Sequence, residues 1–255
     1  MNLRSQLGRV RAEMLSSVHS RPLPLRSQGP VVSFCFDDFP RTAYTTGGAI
    51  LKSFGVRGTY YAALGLMNTT NNLGDQLRQE DIDSLLADGH ELGSHTFNHI
   101  SCRTVSLRLF EKDVLRGRQA IRALTGCDAG NFAYPRGHVS IRSKKRIGAL
   151  MSSCRGIYGG INGLSADLNL LRANSLYGDV DQRARFESLL SENVARSGWL
   201  IFYTHDIRER PSAFGCTPAL FDQTVALAAE SGCRIASIKE ALAIFSEPIR
   251  QPSHS

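Results

Sequence analysis

Seven short, strongly apolar runs along the chain each predict a β-strand: Val31–Phe36, Gly58–Ala62, Glu91–Ser94, Asn131–Tyr134, Arg155–Tyr158, Leu200–Tyr203 and Arg234–Ala236. Between and after them, apolar residues recur every three or four positions and predict helices: Thr42–Phe54, Glu80–Asp88, Ser106–Leu124, Ser140–Met151, Gln182–Arg196, Pro218–Glu230 and Ile238–Phe245. Strands that alternate with helices in this way are typical of a parallel α/β sheet, either open or closed into a barrel.

The two ends of the chain differ from this alternating region. Residues 1–20 carry apolar side chains at helical spacing, and the first 30 residues contain five Arg and one Glu, or +4 of the net charge of +7. We predict a basic N-terminal helix and linker over 1–30, a single α/β domain over 31–248 and a tail over 249–255. A helix packed on the outside of the domain is the favoured interpretation, and a membrane-surface or partner-binding helix is the alternative.

Composition narrows the class of protein. With 42% hydrophobic and 21% charged residues among 255, the chain is neither disordered nor fibrous. No apolar run approaches the roughly 20 residues of a spanning helix. Zinc-finger spacing and basic patches with interleaved aromatics are lacking, so no nucleic-acid partner is expected. The six Cys form no C-x-x-C pair, and the N-terminus has no apolar signal core, which together predict a cytoplasmic protein with buried thiols.

Residues with metal-binding or acid–base chemistry follow four of the predicted strands. They are Asp37 and Asp38, His95 and His99, Pro135 and Arg136, and His205 and Asp206. In α/β barrels the carboxyl ends of all strands open on one face, where active sites lie. The sequence therefore predicts that these four segments meet in one pocket, with the polar loop Asn68–Asp75 either at its mouth or elsewhere on the surface.

The first two segments predict a metal site with a free base. Neighbouring acids at a strand end point in different directions, so one can bind a cation while the other acts as a base. His95 and His99 are four residues apart, and on a helical turn they would face one ion. Two histidines and a carboxylate suit Zn²⁺ or a similar metal. Because the segment HTFNH supplies no Glu, Asp37 is the natural candidate for the base.

The last two segments predict groups that assist the reaction. Pro135 fixes a turn after its strand, and the backbone N–H of Arg136 can serve as an oxyanion donor. His205 ends the apolar strand of the segment WLIFYTHDI and can act as a general acid whose charge a carboxylate supports.

The motifs FDD, HTFNH, FAYPRG and FYTHDI, in this order, resemble those of the polysaccharide deacetylases with NodB homology, carbohydrate esterase family four. The resemblance extends from about Val31 to Phe245. It implies an α/β fold of the deformed (β/α)₇ barrel type, here a single domain with an N-terminal helical extension. It also implies a carbohydrate-active hydrolase that depends on a divalent metal, Zn²⁺ first, with Co²⁺, Ni²⁺ or Mn²⁺ as alternatives.

Carried over to this chain, the resemblance implies a role for each motif residue. Asp37 is expected to be the general base and His205 the general acid. Asp38, His95 and His99 are expected to bind the metal. Pro135 and Arg136 are expected to shape the oxyanion site, where Arg136 stands in place of the family's usual Tyr.

Three positions depart from the family pattern. Cys35 and Phe39 replace the usual Thr and Gly around the first motif, and Ala133 stands where the third motif often has the Arg that orients the base. Arg41, or the side chain of Arg136, is the expected substitute. The family's fourth motif, whose acid supports the catalytic His, has no clear match, and Asp206 or Asp179 is expected to replace it.

The expected reaction is the hydrolysis of an N-acetyl group from an amino sugar, with release of acetate. The expected substrate is an N-acetylated oligosaccharide or a lipid-linked glycan inside the cell. The basic residues 1–20 would then bring the protein to the inner membrane face. Two alternatives are a hydrolase of another non-peptide C–N bond and a non-catalytic glycan-binding relative.

Overall fold

The fold is described from a computed structural model, which describes Leu15, residues 17–25 and residues 29–247. Most of the predicted N-terminal helix and the tail 249–255 lie outside the described residues. The described residues form twelve strands: β1 (Pro22–Pro24), β2 (Val31–Asp38), β3 (Thr59–Ala62), β4 (Thr70–Asn71), β5 (Gly74–Asp75), β6 (Glu91–Ser94), β7 (Asn131–Ala133), β8 (Ser153–Arg155), β9 (Ser165–Asp167), β10 (Asn174–Ser175), β11 (Trp199–Thr204) and β12 (Arg234–Ile235).

Helices connect most of these strands. The described residues form seven α-helices: α1 (Ala49–Ser53), α2 (Gln79–Ala87), α3 (Leu107–Thr125), α4 (Ile141–Gly148), α5 (Arg183–Arg196), α6 (Pro218–Glu230) and α7 (Ile238–Ser246). A π-helical segment, Ala43–Gly48, leads into α1, so the predicted helix Thr42–Phe54 occurs as two joined pieces. Short 3₁₀ turns lie at Leu64–Leu66, Pro135–Gly137 and Val180–Gln182.

Eight of the strands form one parallel sheet. Its order is β10-β11-β2-β3-β6-β7-β8, and β12 also pairs with β2. The segment 168–175 connects the two edges, because Leu171 bridges to Arg155 of β8 while Asn174 and Ser175 pair with β11. The result is the deformed (β/α)₇ barrel that the family resemblance implied, with helices packed outside the sheet.

β2 lies inside the sheet, between β11 and β3, and is packed on both faces. All eight of its residues are buried, as expected for a strand that is covered on both faces. Phe34 and Phe36 pack into one apolar cluster, whereas Val31 and Cys35 pack into another on the opposite face. The carboxyl end of β2 is thereby fixed within the barrel, and Asp37 and Asp38 are its last two residues.

The seven predicted strands all occur, with one shift that affects the site. The run predicted to begin a strand at Arg155 instead ends it there, because the strand is Ser153–Arg155. Arg155 therefore lies at the carboxyl end of β8. The strands β1, β9 and β10 were not predicted, and the predicted loop Asn68–Asp75 contains the small antiparallel hairpin of β4 and β5.

The described part of the N-terminal region is attached to the barrel. β1 lies in the stretch that was predicted to be a linker, and it pairs antiparallel with β9. Buried Lys144 of α4 binds the backbone oxygen of Leu15 at 2.5 Å and the Asp167 carboxylate at 2.6 Å. Residues 17–25 and Leu15 thus form part of the packed structure.

Two further observations concern the sequence-based expectations. Cys35, Cys154, Cys216 and Cys233 are buried thiols, Cys102 is half-buried and Cys127 is exposed, so two of the six depart from the prediction of buried thiols. None of the helices in the described part of the chain is both long enough and apolar enough to span a bilayer.

Candidate metal and catalytic site

The two acids at the end of β2 enter different environments. Both are buried, with exposed fractions of 4% for Asp37 and 7% for Asp38. Consecutive side chains on a strand point to opposite sides, so the two carboxylates separate. Asp38 and Phe39 both have left-handed backbone angles, with φ of 62° and 63°, and they turn the chain sharply out of the strand. Such strain in residues other than glycine is common at functional sites.

The histidine segment after β6 is a loop, and the expected helical turn is wrong. Thr96 and His99 have φ of 63° and 54°, outside the right-handed helical region. The Asp113 carboxylate of α3 holds the loop by accepting hydrogen bonds from the backbone N–H groups of Phe97 and Asn98, at 3.1 and 2.9 Å. The loop still brings the two imidazoles together, with ring centroids 5.0 Å apart.

Asp38, His95 and His99 form a three-ligand cluster. Asp38 Oδ1 lies 3.4 Å from His95 Nε2 and 3.1 Å from His99 Nε2, and one ligand atom from each residue lies within 4.8 Å of the others. His95 Nδ1 is 2.8 Å from the backbone oxygen of Ala133. Since that oxygen can only accept, Nδ1 carries the proton, and the lone pair of Nε2 faces Asp38.

The electrostatics of this cluster favour a bound cation. Burial lowers the pKa of His95 to about 3 and also lowers the pKa of His99, so both rings are neutral ligands near pH 7. Burial raises the pKa of Asp38 to about 6. Asp38 Oδ1 is buried and has no hydrogen-bond donor. A buried carboxylate oxygen that faces two imidazole lone pairs fits a divalent metal, which would satisfy all three atoms.

Asp37 forms a buried ion pair with Arg155, which the sequence analysis did not identify. Arg155 Nη2 donates a hydrogen bond to Asp37 Oδ1, and both side chains are at least 95% buried. The guanidinium carbon also lies 5.1 Å from the Tyr61 ring and 4.9 Å from the Tyr203 ring, within cation–π range. Burial alone would raise the pKa of Asp37, but Arg155 together with His95 and His205 outweighs it and lowers that pKa. Asp37 is therefore held as a carboxylate beside the ligand cluster.

Arg41 does not take the orienting position suggested for it. Its guanidinium binds both carboxylate oxygens of Asp81 at 2.8 and 2.9 Å, on α2. The residue that orients Asp37 is instead Arg155, at the end of β8, which follows the strand that carries Ala133. The sequence offers one signal for this role: Arg155 ends a short apolar run, and the other motif residues also lie at the ends of such runs.

His205 lies directly after β11 and is half-buried. Its Nδ1 is 3.1 Å from the backbone oxygen of Phe214, which orients the ring. Neither acid suggested as its support fills that place. The Asp206 carboxylate binds the Ser212 N–H at 2.8 Å, and the Asp179 carboxylate binds the Thr217 hydroxyl at 2.9 Å.

The turn after β7 carries Pro135 and Arg136. Residues Pro135–Gly137 form a 3₁₀ turn in which Arg136 has a left-handed φ of 58°. Pro135 is buried and the Arg136 side chain is exposed. Arg136 and His99 line the same cavity, and the positive charge of Arg136 contributes to the lowered pKa of His99.

One cavity of about 590 Å³ is lined by residues from all four predicted segments, although Asp38 and Pro135 are not among its lining residues. Five of the residues that the sequence predicted, Asp37, His95, His99, Arg136 and His205, line it. The remaining lining residues come from the β4–β5 hairpin and from nearby loops and strand ends: Leu66, Asn71, Asn72, Leu73, Gly137, Ile157, Tyr177, Tyr203 and Phe214. The hairpin therefore lies at the cavity, which agrees with the expectation that Asn68–Asp75 is at the mouth of the pocket and not elsewhere on the surface.

Comparison with known proteins agrees with this fold. Solved structures match over most of the chain at low identity, which shows the shared fold. A chitin deacetylase from the fungal pathogen Colletotrichum lindemuthianum is 21% identical, covering 84% of this chain and 88% of that one, with a TM-score of 0.58. The peptidoglycan deacetylase PdaC from Bacillus subtilis is 15% identical, covering 85% and 91%, with a TM-score of 0.52. A CE4 family pseudoenzyme is 16% identical, covering 84% and 67%, with a TM-score of 0.53.

No curated protein matches the chain. The model of the family described as polysaccharide deacetylase matches residues 26–150, which contain Asp37, Asp38, both ligand histidines and the Pro135–Arg136 turn. Over residues 26–150 the chain is therefore similar to the polysaccharide deacetylase family, and the solved structures share its barrel fold.

Proposed function

We propose that the protein is a metal-dependent hydrolase that removes N-acetyl groups from an amino-sugar oligosaccharide or glycolipid and releases acetate. The observation that supports this most directly is that Asp37 and His205 line one cavity with His95 and His99, two of the three residues of the ligand cluster that Asp38 completes. A protein that only binds a glycan needs neither a base held as a carboxylate nor a general acid.

Asp38, His95 and His99 are proposed to hold the divalent ion, for which Zn²⁺ is favoured by the two imidazoles and one carboxylate. The bound ion would supply Lewis acidity, which polarises the acetyl carbonyl and lowers the pKa of a coordinated water toward about 7. His95 is fixed for this task by its bond to the Ala133 oxygen.

The chain's own groups are proposed to perform the proton transfers. Asp37, kept ionised by Arg155, takes a proton from the attacking water. The backbone N–H of Arg136 donates to the oxyanion that forms, and such a donor is typically worth about 3–4 kcal/mol. His205, oriented by the Phe214 oxygen, then protonates the amine as it leaves.

The test combines metal content with acetate release from N-acetylglucosamine oligomers. We expect His95→Ala to lose both the metal and the activity. Asp37→Asn should keep the metal and lose activity by about 10²–10⁴-fold, the usual contribution of a general base. His90→Asn, at a buried histidine that does not line the cavity, is the matched control and should keep both.

Two outcomes would contradict the proposal. A wild type that binds the oligomers but releases no acetate would favour a non-catalytic glycan-binding protein. Release of a product only from acylated amines or cyclic amides would instead favour a hydrolase of another C–N bond.

The cellular place of this reaction is a further part of the proposal. We place it in the cytoplasm, at the inner membrane face when the glycan is lipid-linked. Residues 1–14 carry Arg4, Arg9 and Arg11 against Glu13, a charge that would attract anionic lipid. Deleting 1–14 leaves the attached residues 17–25 in place and should reduce binding to anionic vesicles, whereas unchanged binding would refute the membrane role.

A further inference from the structure

The Arg136 side chain places a permanent positive charge at the rim of the catalytic cavity. Among the described residues that line the cavity, it is the one arginine, and there is no lysine. Its side chain is exposed, and its left-handed φ of 58° fixes the direction in which the turn presents it. The cavity therefore offers a guanidinium to whatever binds beside the ligand cluster.

This guanidinium has no carboxylate partner in the part of the chain that the structure describes. Other arginines near the cavity are paired: Arg155 with Asp37, and Arg208 with Asp206 at 2.7 Å. The Asp37 charge is thus already balanced, and the Asp38 carboxylate faces the two imidazoles. No carboxylate in the cavity is left to balance Arg136.

A free guanidinium at this position acts against the metal site unless an anion accompanies it. Arg136 lines the same cavity as His95 and His99, so its charge would face a cation held by the ligand cluster. A positive charge near a set of metal ligands weakens the binding of a cation. An anionic group on the substrate would remove this repulsion and use the fork of N–H donors, which matches carboxylate and phosphate oxygens.

The remaining walls of the cavity suit the uncharged parts of a sugar. Ile157 and Phe214 are exposed apolar side chains, at 38% and 47%, and can cover ring faces. Asn71 and Asn72 of the hairpin add neutral polar surface. Arg136 is consequently the residue that would distinguish an acidic sugar from a neutral one.

We propose that the glycan carries an oxyanion, a carboxylate or a phosphate, next to the acetamido group, and that the Arg136 side chain binds it. The proposal rests on the deacetylase function proposed above and makes Arg136 a specificity-determining residue. The protein would then prefer acidic N-acetylated sugars over neutral ones.

The test compares three sugars with the metal-loaded enzyme: N-acetylglucosamine, its 6-phosphate, and N-acetylmuramic acid, which adds a carboxylate. For the wild type, we expect kcat/KM for acetate release to be at least about tenfold higher on one acidic sugar than on the neutral one. The arm that shows the preference identifies the oxyanion as phosphate or carboxylate.

Variants then assign the preference to the side chain. Arg136→Gln should reduce the acidic-to-neutral ratio to near one, and Arg136→Lys, which keeps the charge, should retain part of it. Arg122→Gln, at an exposed arginine in the last turn of α3, makes the same change in net charge and should keep the wild-type ratio. A wild-type ratio near one, or a ratio that survives in Arg136→Gln, would overturn the proposal.

Calorimetric binding of the same sugars separates this proposal from the proposed function. If no sugar releases acetate, the deacetylase function fails, but tighter binding of an acidic sugar that Arg136→Gln abolishes would still support the anion site. Equal binding of acidic and neutral sugars to the wild type would refute the anion site even where acetate is released.

Discussion

Replacing Arg155 by Met is the sharpest perturbation that the structure suggests. Arg155 and Asp37 form an ion pair in which the side chains are 1% and 5% exposed. The guanidinium also lies within cation–π range of the rings of Tyr61 and Tyr203. Met removes the charge while filling much of the same volume, so the main effect is to leave Asp37 as an unpaired charge in the interior.

The expected cost follows from the asymmetry of buried ion pairs. Removing one partner of such a pair costs about 3–5 kcal/mol, because the remaining charge has lost both its solvent and its partner. Replacing both partners by neutral groups of similar size is often close to neutral. We therefore expect Arg155→Met to lose about 3–5 kcal/mol of unfolding free energy and the double variant Asp37→Asn/Arg155→Met to lose less.

Urea unfolding with a chelator present measures these differences without a contribution from bound metal. Arg122→Met, at an exposed arginine, serves as the control and should stay within about 0.5 kcal/mol of the wild type. Acetate release by metal-loaded Arg155→Met should fall at least tenfold, because Asp37 loses the group that keeps it ionised and in place. The reasoning would be refuted if Arg155→Met were as stable and as active as the control, or if the double variant were less stable than Arg155→Met.

Three further predictions concern stability and the support of the site. Burial lowers the pKa of His90 below its usual 6.5, so near this pH the unfolded chain binds more protons than the folded one. The free energy of unfolding should therefore fall as the pH drops through 6.5. A His90→Asn variant should show a shallower fall, with a slope smaller by at most about 1.4 kcal/mol per pH unit. Gly137 has a φ of 61°, and an added Cβ would lie 2.1 Å from Ile157. Gly137→Ala should therefore lower the free energy of thermal unfolding by about 1–2 kcal/mol and reduce kcat. A variant with the stability and kcat of the wild type would contradict the idea that this turn needs glycine. Lys144→Met leaves the Asp167 carboxylate without its ammonium partner, so limited proteolysis should cut the 15–25 segment faster than in the wild type, and equal rates would show that this pair does not hold it.

Much of the site could be predicted from local signals. The FDD, HTFNH and FYTHDI segments each follow an apolar run, and residues at the carboxyl ends of parallel strands share one face whatever the exact twist of the sheet. That rule is sufficient to bring Asp37, His95, Arg136 and His205 into one cavity. Strand order and register were not needed for the prediction.

The partners of these residues could not be predicted in the same way. The expected helical turn at His95–His99 is a loop, because Asp113 on α3 supplies acceptors that an isolated segment lacks. The supports proposed for His205 were neighbouring carboxylates, but the structure uses the backbone oxygen of Phe214, which carries no sequence signature. Contacts of this kind depend on how distant segments pack.

Arg155 shows the difference between what the sequence determines and what the tertiary structure determines. The amino-acid sequence by itself determined the alternation of strands and helices and the positions of the chemically active residues, because side-chain periodicity and apolar runs are properties of neighbouring residues. Only the tertiary structure decided that an arginine 118 residues beyond Asp37 is its partner, because closing the barrel buries both charges and a buried charge must find its opposite.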